Sequence, residues 1–248
     1  QVLANFCAAA ADAMAFTLMR TAHSAFVKET EDFSCQLVTR EGLAFASPRQ
    51  FGAPWYSGID YRPLLDMFDH YEEGDICVTN DPYNGFVATH SPDMHIWKPV
   101  FHDGEIACFV VGHIHNTDVG GAVPASLSRS LTEIEQEGVR IPPVKLVTRD
   151  GLNAFVVEVL RSNVRLPEQN WGDLNAQIAA VNIGERKVHE IVQLLLASPA
   201  SGMETTGAVI EIASPRAFCG LLMTPMYFAR APNAWLLASL ASTAVPAA

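Results

Sequence analysis

The sequence predicts an α+β fold, with a mixed, largely antiparallel β-sheet (or two) packed by an N-terminal helix and by a long helix near residues 168–196. Three observations carry that expectation. Two segments repeat apolar residues at the three- and four-residue steps of a helix. Between them lie short runs of β-branched and aromatic residues separated by turn dipeptides. Each helix then carries a stripe that must be buried against another layer.

Taken in order, residues 2–22 read as a helix rich in Ala and Met, both strong helix formers. Its proposed buried stripe is Val2, Phe6, Ala9, Ala13, Phe16 and Met19. Phe33–Thr39 and Leu43–Ser47 read as a hairpin around Arg40-Glu41-Gly42. Pro63–Tyr71 is a short helix, since proline is favoured in the first turn. Ile76–Thr79 is a strand ending in the turn Asn80-Asp81-Pro82-Tyr83. Met94–Phe101 and Glu105–His115 form the clearest hairpin, closed by His102-Asp103-Gly104. Val144–Thr148 is a strand followed by the turn Arg149-Asp150-Gly151. Asn153–Asn163 favours helix. In Glu168–Leu196 the stripe is Trp171, Leu174, Ile178, Val181, Val188, Val192 and Leu195, with a bend expected at Gly184.

The first 196 residues read as one partial domain. Residues 197–248 hold only four charges, show no sustained period, and read as a low-complexity apolar tail outside that domain. Removing the tail is expected to leave thermal stability nearly unchanged.

The chain carries 16 Lys+Arg against 27 Asp+Glu, so it lacks the cationic surplus that contacts with a phosphate backbone require. Nucleic acid is therefore not an expected partner. No apolar run reads as long enough to span a bilayer, so no membrane association is expected either. The five Cys form no CxxC pair or even framework, which fits buried thiols in the cytoplasm. No signal peptide is visible. The chain begins in mid-helix, as a fragment would.

Chemistry concentrates between positions 90 and 115, where five of the eight His fall. Asp81, Asp93 and Asp118 lie beside or among them. Alternation along Glu105–His115 places His113 and His115 on one face with Val111, Phe109 and Ala107. His90 and Asp93 flank Pro92 in a bent loop. Imidazole plus carboxylate without thiolate suits a divalent first-row ion (Zn, Mn or Fe) at an open site. His95 and His102 read as structural. Asp118-Val119-Gly120-Gly121 is either an ordinary loop or a main-chain anion cradle. In the run from Thr132 to Lys145, Glu137 is a candidate general base and Arg140 a holder of an anionic intermediate. A solvated acidic turn is the plain alternative.

These residues resemble the hydantoinase B/oxoprolinase family. The resemblance is carried by Glu31-Asp32-Phe33-Ser34-Cys35, by Gly74-Asp75 leading to Thr79-Asn80-Asp81-Pro82-Tyr83, and by His90-Ser91-Pro92-Asp93. It continues through His113–Gly121, Thr132–Leu146, Asn163-Val164-Arg165 and Gly172–Ala180, to Gly184-Glu185-Arg186. The motifs stand in the family's order and end near Leu196, as in a truncated copy. The resemblance implies metal ligands at His90, Asp93 and His115, with Asp32 as a fourth candidate. Asp81, His113 and Asp118 are then ligands or hydrogen-bond partners of ligands, and Lys145 or Arg165 hold phosphate or substrate. Many members have adjacent histidines where this chain has His113-Ile114-His115; His115 is chosen because it directly precedes Asn-Thr-Asp-Val-Gly-Gly. The segment around Trp55 also lacks the histidine of many hydantoinase-type members, which leaves the substrate class open.

The family implies a subunit of an ATP-dependent cyclic amidohydrolase that opens hydantoin or 5-oxoproline rings. The implied partner is a hydantoinase A-type subunit that binds ATP and Mg, in a hetero-oligomer acting on a small molecule. An acetone- or acetophenone-type carboxylase subunit is the alternative, and a non-catalytic truncated remnant is a third. This chain has no GxxxxGK[ST] or GxGxxG phosphate loop of its own.

Overall fold

The computed structural model describes residues 2–53, 58–126 and 128–197. The expectations for residues 197–248 therefore fall almost entirely outside the described residues, and Trp55 lies outside them too. Seven strands form one sheet: β1 (Phe33–Val38), β2 (Ala44–Ala46), β3 (Ile76–Thr79), β4 (Asp93–His102), β5 (Glu105–His115), β6 (Val144–Thr148) and β7 (Gly151–Leu152). Their order is β2-β1-β5-β4-β3-β6-β7, and every neighbouring pair is antiparallel. Among the described residues five α-helices accompany them: α1 (Val2–Thr21), α2 (Ala25–Lys28), α3 (Arg62–Leu65), α4 (Ala154–Asn163) and α5 (Pro167–Ala197). The fold is α+β as predicted, with a single sheet.

The central strands are buried on both faces. Phe33, Cys35, Leu37, Ile96, Val110 and Ile114 face α1 and α5, joined by Met14, Leu18, Leu174, Val181 and Val188. On the other face Trp97, Phe109 and Val111 pack with Tyr61, Leu64, Leu65 and Tyr71. This second layer also encloses the histidine-rich strand ends.

The stripe expected to be buried on α1 is its outer face. Val2, Phe6 and Phe16 are exposed, while Cys7, Ala10, Ala11, Met14, Ala15 and Leu18 are buried. Both faces are apolar, so period alone could not choose. Packing against α5 chose, with Met14 of α1 fitted against Gly184. At Gly184 an added Cβ would lie 2.5 Å from Met14 Sδ. Gly184 is therefore a contact point inside one continuous helix, where a bend was expected.

Three further boundaries differ from the reading. Val2–Thr21 is long and apolar enough, by length and composition, to cross a membrane, contrary to the expectation that no segment is. Here its inner face packs into the core against α5 and the sheet. The helix expected over Pro63–Tyr71 stops at Leu65, and the Tyr71 hydroxyl turns back to donate to Leu65 O at 2.8 Å. Gly151, read as the last residue of a turn, and Leu152 pair with β6 as a short edge strand.

Candidate metal centre

The hairpin register builds the site. Asp93 lies directly opposite His115, and His95 opposite His113, across β4 and β5. Alternation then sets all four on the face away from the long helices. His90 arrives from the preceding loop, which is closed by the Asp93 N–H donating to His90 O at 3.0 Å. Asn116 ties the two strand ends together: its N–H and its side-chain amide both donate to Pro92 O, at 2.8 and 3.1 Å.

Among the described residues, His90, Asp93 and His115 each offer a ligand atom, and those atoms lie within 4.8 Å of one another. The rings of His90 and His115 stand 4.9 Å apart, and Phe26 stacks on His115 at 4.6 Å. His115 Nδ1 is buried with no hydrogen-bond partner, which fits a nitrogen awaiting an ion. Two imidazoles and a carboxylate, with a cavity beside them, are a donor set of the kind that can hold a divalent ion.

Asp93 is 2% exposed. Burial by itself would raise its carboxyl pKa, yet hydrogen bonds from His113, His90 and Thr89 together hold it far below the usual carboxylate range. His113 Nε2 stands 3.1 Å from Oδ1, and His90 Nε2 stands 3.5 Å from the same oxygen. The contact with Asp93 outweighs burial at His90 and raises its pKa. Burial and the neighbouring His90 lower that of His115. Burial lowers that of His95 strongly, and its ring lies 4.7 Å from His113. A residue read as merely structural is thus packed against the site.

These shifts set a pH dependence. His95 and His115 stay neutral in the fold but take up protons at about pH 6.5 once unfolded, so their contribution is full above that value and lost as pH falls below it. His90 works the other way, contributing below about pH 6.5 and losing that as pH rises through its raised pKa. It is only half-buried, and two groups oppose one. The metal-free chain is therefore expected to melt lower at pH 5 than at pH 7, as thermal denaturation would show. The depressed Asp93 titrates below that window.

The other candidates are placed as follows. Asp32 lies outside the three-residue group; its main-chain oxygen accepts from His115 N–H at 2.9 Å, and its charge acts on both His90 and His115. Asp81 accepts from Tyr83 N–H and from the Asn84 amide, and lies 3.8 Å from Arg140 Nε. Asp118 is held by the Arg165 N–H and guanidinium and by Gly120 N–H. Arg165 also donates to Gly120 O and Gly121 O, so this pair clasps the glycine loop. Lys145 pairs with Asp75 at 2.7 Å, before the start of β3 and at the far end of that strand from Asp81.

Glu137 comes to the centre. Its Oε2 accepts from Ser91 N–H at 2.8 Å, and with His90, Thr89 and Tyr83 it lines a cavity of about 350 Å³. Arg140 lies over the Tyr83 ring, 5.4 Å from its centre. Asn80, which the sequence marked as a turn residue within a family motif but not as a site residue, is fully buried and joins both loops. It donates to Ser91 O and Val139 O and accepts from Ile141 N–H.

Residues 1–197 match the Hydantoinase B/oxoprolinase family. The chain is 32% identical over 205 residues to the B-type component of a putative D-/L-hydantoinase from a Pseudomonas species, covering 80% of this chain and 33% of that protein. It is 31% identical to a 5-oxoprolinase of Dictyostelium discoideum, over 73% of this chain and 14% of that one. The crystal structure of an ATP-dependent caprolactamase from Pseudomonas jessenii superposes with a TM-score of 0.68 at 30% identity, covering 86% of this chain and 36% of the other. The chain thus spans about a third or less of the length of the hydantoinase and 5-oxoprolinase relatives. With its match running from the first residue to the end of α5, the chain belongs to the hydantoinase B/oxoprolinase family.

Proposed function

We propose that this chain carries the metal site of an ATP-dependent cyclic amidohydrolase and works with a separate ATP-binding subunit of the hydantoinase A type. The observation that carries the reading is the group of His90, Asp93 and His115 beside a cavity of about 350 Å³ that Glu137 also lines. The relatives named as a hydantoinase component and as a 5-oxoprolinase support the reaction class.

His90, Asp93 and His115 would hold a divalent ion, whose Lewis acidity polarises a carbonyl or a water oxygen when bound. Glu137 would take the proton of the attacking water; its Oε2 accepts from Ser91 N–H, and it lines the same cavity as His90, which supports that role. Arg140, exposed beside Tyr83, would offset negative charge on the opened intermediate. Lys145 and Arg165 are held by Asp75 and Asp118 at 2.7 Å, whereas Arg140 lies 3.8 Å from Asp81, so phosphate contact falls to the more loosely held Arg140 or to the partner. Ring opening of an amide needs an activated carbonyl, and ATP would supply it by phosphorylating the carbonyl oxygen. With no phosphate loop in this sequence, that step belongs to the partner.

The test is reconstitution. The isolated chain, supplied with Mn or Zn, is expected neither to hydrolyse ATP nor to open hydantoin or 5-oxoproline. A full-length relative mixed with its ATP-binding partner is expected to do both. In that relative the substitution equivalent to His115→Ala should stop ring opening while partial ATPase of the partner persists. ATP turnover by this chain alone, abolished by His115→Ala, would overturn the division of labour.

A further inference from the structure

We infer that Thr89 is a positioning residue that makes Asp93 a one-oxygen ligand, an inference that rests on the metal reading above. The two carboxylate oxygens have different surroundings. Oδ2 accepts two hydrogen bonds from Thr89, one from its N–H at 2.9 Å and one from its hydroxyl at 2.5 Å. Oδ1 faces the imidazoles, with His113 Nε2 at 3.1 Å and His90 Nε2 at 3.5 Å. Thr89 thus occupies one oxygen and turns the other toward the group that would hold the ion. A carboxylate fixed this way contributes a single bond and leaves a coordination position open for substrate or water.

Burial makes the hydroxyl matter. Asp93 is 2% exposed, so water cannot freely take over when a donor is lost. Without the hydroxyl, Oδ2 keeps one main-chain donor and the carboxylate is free to rotate until both oxygens face the ion. Thr89 itself is exposed at the cavity wall, so changing it leaves the core packing intact.

The experiment titrates the full 248-residue chain with Co(II), reading affinity by chelator competition and coordination number by visible d–d absorption. Thr89→Val removes the hydroxyl and keeps the shape; Thr89→Ser keeps the hydroxyl. Thr89→Val is expected to weaken binding about tenfold or more and to lower the d–d intensity as coordination number rises. Thr89→Ser is expected to keep both the affinity and the spectrum of the unsubstituted chain. Unchanged affinity and spectrum in Thr89→Val would overturn the inference, as would weaker binding with an unchanged spectrum, or Thr89→Ser behaving like Thr89→Val. His115→Ala distinguishes the underlying reading. If the unsubstituted chain shows no Co(II) bands, or His115→Ala retains them, the metal assignment falls and this inference with it.

Discussion

Replacing Asp93 with Ala is expected to abolish tight divalent-metal binding, lowering affinity by at least ~100-fold, since losing a ligand exceeds the cost of losing its supporting hydrogen bonds. Asp93 is the geometric centre of the group. It faces His115 across the strand pair, contacts His90 and His113 through one oxygen, and is held by Thr89 through the other. The metal-free fold should also suffer, because the buried carboxylate that accepts from Thr89 and His113 is lost. Asp93→Asn separates the two effects: it keeps the volume and removes the charge, so it should fold closer to normal and still fail to bind. Calorimetric titration with Mn and Zn, with circular dichroism as a check on folding, measures both. A folded Asp93→Ala chain that binds with unchanged affinity would remove Asp93 from the site.

The second large effect is expected at Asn80, which contacts no candidate ligand. Its amide donates to Ser91 O at 2.6 Å and Val139 O at 2.9 Å, and its oxygen accepts from Ile141 N–H at 2.6 Å. Asn80→Ala therefore leaves two carbonyls and one N–H unpaired, with Asn80 itself fully buried. Each orphaned group costs about 1–3 kcal/mol, so the three together cost roughly 3–9 kcal/mol, and the melting temperature should fall by about 10 °C or more. The same residue joins the loop bearing His90 to the segment bearing Glu137, so metal affinity should weaken alongside stability. Asn80→Asp keeps the acceptor for Ile141 but loses both donors, and should be no better. A change in melting temperature below about 2 °C for Asn80→Ala would show that these bonds are replaced by water.

What the sequence determined by itself follows from short-range rules. The strand period placed His113 and His115 on one face with Phe109 and Val111, as the second core layer shows. The helical period located α1, α4 and α5 to within two residues. The order of short motifs named the family and pointed to His90, Asp93 and His115, which the structure brings together. Tertiary structure alone decided the rest, because each remaining question turns on partners distant in the chain. Both faces of α1 are apolar, and the buried one is the face whose Met14 packs into the space left by Gly184 of α5. His95 is drawn beside His113 by strand register. Arg165 and Lys145 carry charges suited to phosphate, yet Asp118 and Asp75 engage them across 47 and 70 positions of sequence. A side chain's type states what it can bond; the register and the loop crossings state what lies within its reach, and hydrogen bonds act only at contact distance.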